Sequence, residues 1–316
     1  MKILYAASDS IGASIQLNKF LIHFPWHKHT LKISAYHGYN YLSNVDYNLH
    51  FLTPFKDKKQ SIHTDNARIY YNELDKYKPD LIISDLDILT SYYAIDRKIK
   101  LWQYSADFIY YYLSPVTMRH LSLSQRFIGR TSVHRKDYEF ILSNSDKCLY
   151  PSLYDSLGLK VTDVEIIDPL SIIGDLNSKY NHKLILSLYN NKRCFLKHCK
   201  EDSLLFTTDT SEFFKNIKTK YTYSDVDYYN NIASSNLYMC DLYSDFIFDG
   251  LVNNQTINSY INFSELSTIT NFALLKHLGL INVMDYVKPE RNEFIFYHEP
   301  RSNIIDKVLE YELCRF

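Results

Sequence analysis

Short, unbroken apolar runs that stop at Ser, Asp or Gly recur along this chain and alternate with segments of helical period. That alternation leaves few architectures open. Lys2 to Ala7 (KILYAA) stops at Ser8-Asp9-Ser10, and Ser14 to Phe24 then carries Ile15, Phe20, Leu21 and Phe24 at roughly helical spacing. "TLKISAYHG" reads as a second strand ended by Gly38, "ARIYYNELDKYK" as a helix stopped by Pro79, and "DLIISDLD" as another buried strand. A helix through Tyr92 to Asp96 and the strand "IKLWQYS" follow. Strands without polar alternation must be covered on both faces. Helices between them supply that cover, which predicts an α/β chain with doubly wound parallel sheets.

The second half repeats the pattern after a hinge-like stretch, Pro151 to Leu159. "VEIID" and "KLILSLYN" read as strands, followed by a helix near Lys192 to Lys200, the strand "SLLFTT", a helix through Glu212 to Lys218 and the strand "KYTYS". Then come a helix through Tyr228 to Ser235, "LYMCD", a helix opening at Ser244, the strand "TINSYI", and "STITNFALLKHLG", a helix ended by Gly279. The last helix, Asn303 to Glu312, gathers Ile304, Ile305, Val308 and Leu309 on one face. With 316 residues the chain can bury two cores. The expected division is residues 1–160, 161–300 and a final 301–316.

Bulk charge excludes a global pull toward nucleic acid or membrane, because 35 basic side chains face 36 acidic ones. No apolar run reaches the roughly 18 residues of a membrane span, and no secretory leader opens the chain, so a cytoplasmic protein is expected. Five scattered cysteines, Cys148, Cys194, Cys199, Cys240 and Cys314, fit reduced thiols. "CFLKHC" has no second ligand pair at zinc spacing, and no metal site is expected. Dinucleotide-binding, phosphate-loop and nucleophile-elbow glycine patterns are missing, which weighs against an oxidoreductase, an NTPase and an α/β-hydrolase. Few glycines and abundant Tyr, Asn, Ile and Lys read as the coding bias of an AT-rich genome.

"YKPDLIISDLDILTSYYAIDRKIKLWQYS" resembles the N-terminal domain of a GT-B glycosyltransferase, and "CDLYSDFIFDGLVNNQTINSYINFSELSTITNFALLKHLGL" resembles the donor-binding part of its second domain. Leu242 and Tyr243 stand near the place of the family's paired glycines. The resemblance implies two Rossmann-like domains facing each other across a cleft, with a final helix crossing back to the first. It implies a nucleotide-sugar co-substrate, most simply UDP-linked, no obligatory metal or other cofactor, and hexosyl or pentosyl transfer to a hydroxyl held between the domains. Ser244 matches the phosphate-contacting hydroxyl and Asp249 the ribose-binding carboxylate. Tyr243, Asp245 and Glu265, with Ser10 from the opening loop, complete the implied donor set. An AT-rich source suits a virus or phage as well as a bacterium, and a viral origin would place the protein in a host cytoplasm.

Ligands of an open parallel sheet sit beyond the carboxyl ends of its strands. On the first half those loops hold Asp9, His37, Asp85 and Asp107, each able to take a proton from an acceptor hydroxyl. Asp9 ranks first. The competing account of each Asp is a helix cap. Arg119, Arg126 and Arg130 lie in the one marked basic segment, Arg119 to Lys136, and could bind phosphate or the backbone of a modified DNA acceptor. The acceptor is accordingly a glycan or small hydroxylated molecule, or a hydroxymethylated pyrimidine in DNA. A catalytically inactive binding protein of the same fold is the further alternative, suggested by the missing glycines.

Overall fold

The computed structural model describes residues 1–8, 11–35, 51–52, 65–106, 135–153, 164–171, 173–175, 184–188, 203–207, 218–220, 226–260, 266–284 and 298–314. Two all-parallel sheets organise them. The first orders its strands β3 (Phe51–Leu52), β2 (Thr30–Ala35), β1 (Lys2–Ala7), β4 (Leu81–Ser84), β5 (Lys100–Tyr104), β6 (Lys147–Pro151) and β7 (Val164–Ile167). In the second the order is β10 (Lys218–Lys220), β9 (Ser203–Thr207), β8 (Leu184–Leu188), β11 (Tyr238–Cys240), β12 (Ile257–Ser259) and β13 (Ile281–Val283). Both sheets therefore reverse direction beside their first strand, the doubly wound pattern expected from the alternation.

The described helices are α1 (Ile11–His23), α2 (Asp65–Tyr77), α3 (Ile88–Arg97), α4 (Arg135–Ser143), α5 (Val226–Ser234), α6 (Ser244–Val252), α7 (Leu266–Leu278) and α8 (Ile304–Leu313). Strand β4 is buried along its length, and α2 and α3 cover one face of its sheet through Tyr70, Leu74, Leu89 and Tyr93. On the other face Leu17, Phe20 and Leu21 of α1 pack with Ile3 and Tyr5. Helix α3 starts where Asp87 Oδ1 accepts the Thr90 amide at 2.8 Å, and it ends at Lys98, whose left-handed backbone closes the last turn. Gly279, at φ 70°, ends α7 in the position read from the sequence.

The boundary differs from the expected one. "VEIID" belongs to the first sheet, with Cys148 opposite Val164 and Pro151 opposite Ile167, because β6 still has a free edge that Val164 to Ile167 can pair. The crossing to the second sheet therefore begins after Ile167, not at residue 160. Lys218 likewise opens the strand β10 where a helix was expected to end. Strand β10 is an edge strand of its sheet.

Two crossings join the sheets, and Asp168 fastens them together. Its amide donates to the Ser302 carbonyl at 3.1 Å, its Oδ2 accepts the Arg301 amide at 2.8 Å, and its Oδ1 meets His298 Nε2 at 2.6 Å. The Arg301 guanidinium also donates to Asp168 and to the Ser152 carbonyl. Farther along the outgoing crossing, the Gly174 amide donates to Asn253 Oδ1 at 2.7 Å, and a Cβ there would lie 2.1 Å from the Tyr229 carbonyl oxygen. Only a glycine lets this segment lie so close to α5.

Helix α8 returns to the first sheet. Asn303 and Asp306 form a capping box at its start, Ile304 and Val308 join the core of Ile3, Tyr5 and Trp102, and Tyr311 packs edge-on to Trp102 at 5.4 Å. Replacing Ile304 by Ala is expected to cost about 2–4 kcal/mol through the cavity it leaves. Gly174→Ala is expected to cost about 1–3 kcal/mol by overpacking. Urea unfolding of each variant measures both, and an unchanged midpoint for Gly174→Ala would show that the crossing is not seated on α5.

Candidate active site between the domains

Strand order changes direction between β1 and β4 in one sheet and between β8 and β11 in the other. Loops leaving the carboxyl ends of neighbouring strands diverge there and open a crevice. Helix α1 follows β1 and α6 follows β11, and these two helices touch across the domain boundary. The two crevices are thus linked through this helix contact.

On the first sheet, β4 delivers Asp85, Leu86 and Asp87. Asp85 is 4% exposed and its amide donates to the Ala6 carbonyl at 2.8 Å, which holds the β4 turn against the end of β1. Leu86 sits at φ 52°, a conformation that costs a leucine about 1–2 kcal/mol. It is kept there by its amide, which donates to Gln103 Oε1 at 3.2 Å, and by burial of its side chain. Gln103 Nε2 donates in turn to Ser91 Oγ at 2.9 Å, and Ser91 Oγ donates to the Asp87 carbonyl at 2.6 Å. Asp87 itself caps α3, the ordinary role of an Asp after a strand.

On the second sheet, β11 runs through Asp241 and Leu242 into the start of α6. Tyr243 occupies the cap position without a side-chain hydrogen bond to the helix. Asn271 of α7 fixes this corner, since its Nδ2 donates to the Leu242 carbonyl at 2.9 Å and to Ser244 Oγ at 3.1 Å. Ser244 is therefore placed in the first turn, beside the amides that carry the positive end of the helix dipole.

Between the crevices lies a buried ionic cluster. Lys19 of α1 donates through Nζ to Asp249 Oδ1 at 2.8 Å and to Asp245 Oδ1 at 3.3 Å, and the Lys19 and Asp249 side chains are 2% and 0% exposed. Two carboxylates four residues apart on α6 share one face, so one cation can bridge both. Burial alone would lower the Lys19 pKa, but Asp249, Tyr229 and Asp245 outweigh it and hold the ammonium charged. Burial pushes Asp249 up to about 6 from 3.8, against the pull of Lys19, and raises Asp245 as well. Tyr5 and Tyr104 border the cluster, and burial, with nearby carboxylates adding to it, raises both phenols.

Of the residues expected from the sequence, Asp85, Tyr243 and Ser244 fall at the strand ends and helix start that border these crevices, and Asp245 and Asp249 in the buried cluster between them. Asp249 has no exposed surface and is engaged by Lys19, so a ribose would have to displace that ammonium to reach it. Asp9, Ser10, His37, Asp107, Arg119, Arg126, Arg130 and Glu265 lie outside the described residues, as does "CFLKHC". Among the described residues no three His, Cys, Asp or Glu side chains converge on a metal position, and no helix is long and apolar enough to cross a membrane. Cys148 and Cys240 are buried free thiols and Cys314 an exposed one. Lys19 was not singled out from the sequence. The signal available was its position, with Gln16 and Asn18, inside a helix otherwise filled with apolar side chains.

No family model matches the chain, and no curated protein matches it in sequence. Solved structures do match. The spinosyn forosaminyltransferase SpnP superposes with a TM-score of 0.57 at 10% identity, over 91% of this chain and 86% of the other. The Streptomyces sp. SF2575 glycosyltransferase SsfS6, complexed with thymidine diphosphate, gives 0.55 at 9% identity over 90% and 88%. CalG4, the calicheamicin glycosyltransferase, gives 0.55 at 11% identity over 89% and 85%. The chain has the GT-B fold: two Rossmann-like domains and a helix that crosses back.

Removing one member of a buried ion cluster strands the rest, so Lys19→Met is expected to cost about 3–5 kcal/mol near neutral pH. Asp249 carries a folded pKa above its ordinary 3.8, so its contribution to stability is fully present below that value and is lost as pH rises through about 6. Without Lys19 the carboxylates titrate higher still, and the decline extends to higher pH. Thermal melts from pH 4 to 8 check this, and parallel curves for the two proteins would contradict it.

Proposed function

We propose that this chain is a glycosyltransferase that moves a sugar from a nucleotide-sugar donor to a hydroxyl acceptor held between its domains. The observation that carries the reading is the pairing of two doubly wound sheets through the helices that follow their switch-point strands, in a fold shared over about nine-tenths of the chain with sugar-transferring enzymes. The donor diphosphate would lie at the start of α6, where first-turn amides and the Ser244 hydroxyl can hydrogen-bond phosphate oxygens. That field offsets the charge left on the diphosphate as the anomeric bond breaks, without calling on a metal ion. The uridine nucleotide is the first choice of base and thymidine the second, the latter because the solved SsfS6 complex holds thymidine diphosphate.

The first domain would hold the acceptor. For transfer with inversion, a carboxylate takes the acceptor hydroxyl's proton, the oxygen attacks the anomeric carbon, and the nucleoside diphosphate departs with the bonding pair. Asp9, just beyond the end of β1, is the proposed base, and Asp85 on the neighbouring strand end is the second candidate. The acceptor is proposed to be a small hydroxylated molecule or glycan.

Thermal melting with a panel of nucleosides, nucleoside diphosphates and nucleotide sugars is the test. A ligand that binds only the folded state stabilises it by mass action, by about 2.7 kcal/mol at a hundred times its Kd, and so raises the midpoint. At least one nucleoside diphosphate is expected to do so, and its sugar conjugate to be hydrolysed or transferred with loss in Asp9→Asn. No shift with any member of the panel would overturn the reading.

A further inference from the structure

The ionic cluster raises a problem for the proposed donor site. Asp245 is in the first turn of α6 and Asp249 one turn farther on, so the helix that would receive a diphosphate carries two carboxylates of its own near the receiving end. Unscreened, they oppose a second anion there. The cation that answers them does not come from the same domain. It comes from α1, at 2.8 and 3.3 Å, and it is enclosed where salt and water screen it little. The other groups around it, Asp85 and the phenols of Tyr5, Tyr104 and Tyr229, bring no positive charge, and burial lowers the pKa of His23, one turn along α1, keeping that ring neutral.

We infer that Lys19 is a positioning residue for the donor: lent by the first domain, it offsets one of the two negative charges near the start of α6, so that a nucleoside diphosphate binds tightly only while the two domains are docked. This rests on the donor reading above and adds to it a direction of dependence. Lys19 need not touch the diphosphate. It acts through Asp245 and Asp249, cancelling one of their two charges. The inference also gives the two domains a reason to couple, since any separation that removes Lys19 leaves the acidic residues to oppose the ligand.

The test compares a charged and an uncharged ligand of the same base, uridine diphosphate against uridine, by calorimetric titration on the full chain at a pH of about 8 to 9, high enough that Asp245 and Asp249 are ionised in the variant as well. For Lys19→Met the diphosphate is expected to lose on the order of tenfold or more in affinity, the effect of one unit charge acting through protein at roughly 10 Å, while uridine changes less than about twofold. Lys19→Arg is expected to restore the diphosphate. Should Lys19→Met fail to fold, Asp245→Asn supplies a signal of opposite sign, with diphosphate affinity rising severalfold at unchanged uridine affinity. A loss common to both ligands, or an unmoved diphosphate in either variant, overturns the inference and leaves the donor site standing. If neither ligand binds the unaltered protein, the donor site itself falls, and the inference with it.

Discussion

A single ammonium group, enclosed between two domains, sets the terms for the centre of this molecule. Lys19 cannot be left uncompensated in a protein interior, because an isolated buried charge costs several kcal/mol even after the surroundings relax. Two carboxylates on one face of α6 meet that demand, and in meeting it they fix how α1 and α6 lie against each other. The apolar seam around them adds attraction without direction: Ile15 and Leu86 from the first domain share a cluster with Tyr243, Phe246 and Ile247 of the second. Hydrophobic contact of that kind tolerates sliding. The ion cluster has a defined geometry, and it specifies one registration.

Much of the fold was legible because its strands are buried on both faces. Runs such as "KILYAA" and "DLIIS" show no polar alternation, and their neighbours have the period of covering helices, so the parallel sheets followed from pattern alone. The helix end at Gly279 was legible too, since it rests on local chemistry. The error at Val164 to Ile167 has a physical cause: a strand's own residues say that it needs partners on both sides, but not which sheet offers the vacant edge. The central ion cluster was hidden for a similar reason. Lys19 lies 226 and 230 positions from its partners, and nothing local to any of the three residues announces the other two. The carboxylates on α6 were noticed, yet their partner could be found only in three dimensions.

Two fastenings hold the domains, and they differ in kind. At the crossings, Asp168 binds the outgoing and returning chain through backbone amides as well as side chains, so the covalent connections and the hydrogen bonds coincide. In the seam, Lys19 joins helices that are not neighbours in sequence. A fastening at the connections limits how far the domains can travel, whereas one at the crevices limits how they are oriented. Leu86, kept in a left-handed backbone conformation beside the β1 end, shows that this region also stores a modest conformational cost in order to place its loop.

Helix α8 carries a consequence for how the chain is made. Its Ile304 and Val308 belong to the core built on β1, so the first domain, although its strands are made before those of the second, lacks part of its interior until about residue 308 has emerged. The second domain, lying wholly inside that interval, meets no such delay. Vectorial synthesis would thus present a nearly finished inner domain beside an outer one with an open groove, and the groove closes only as the last helix arrives.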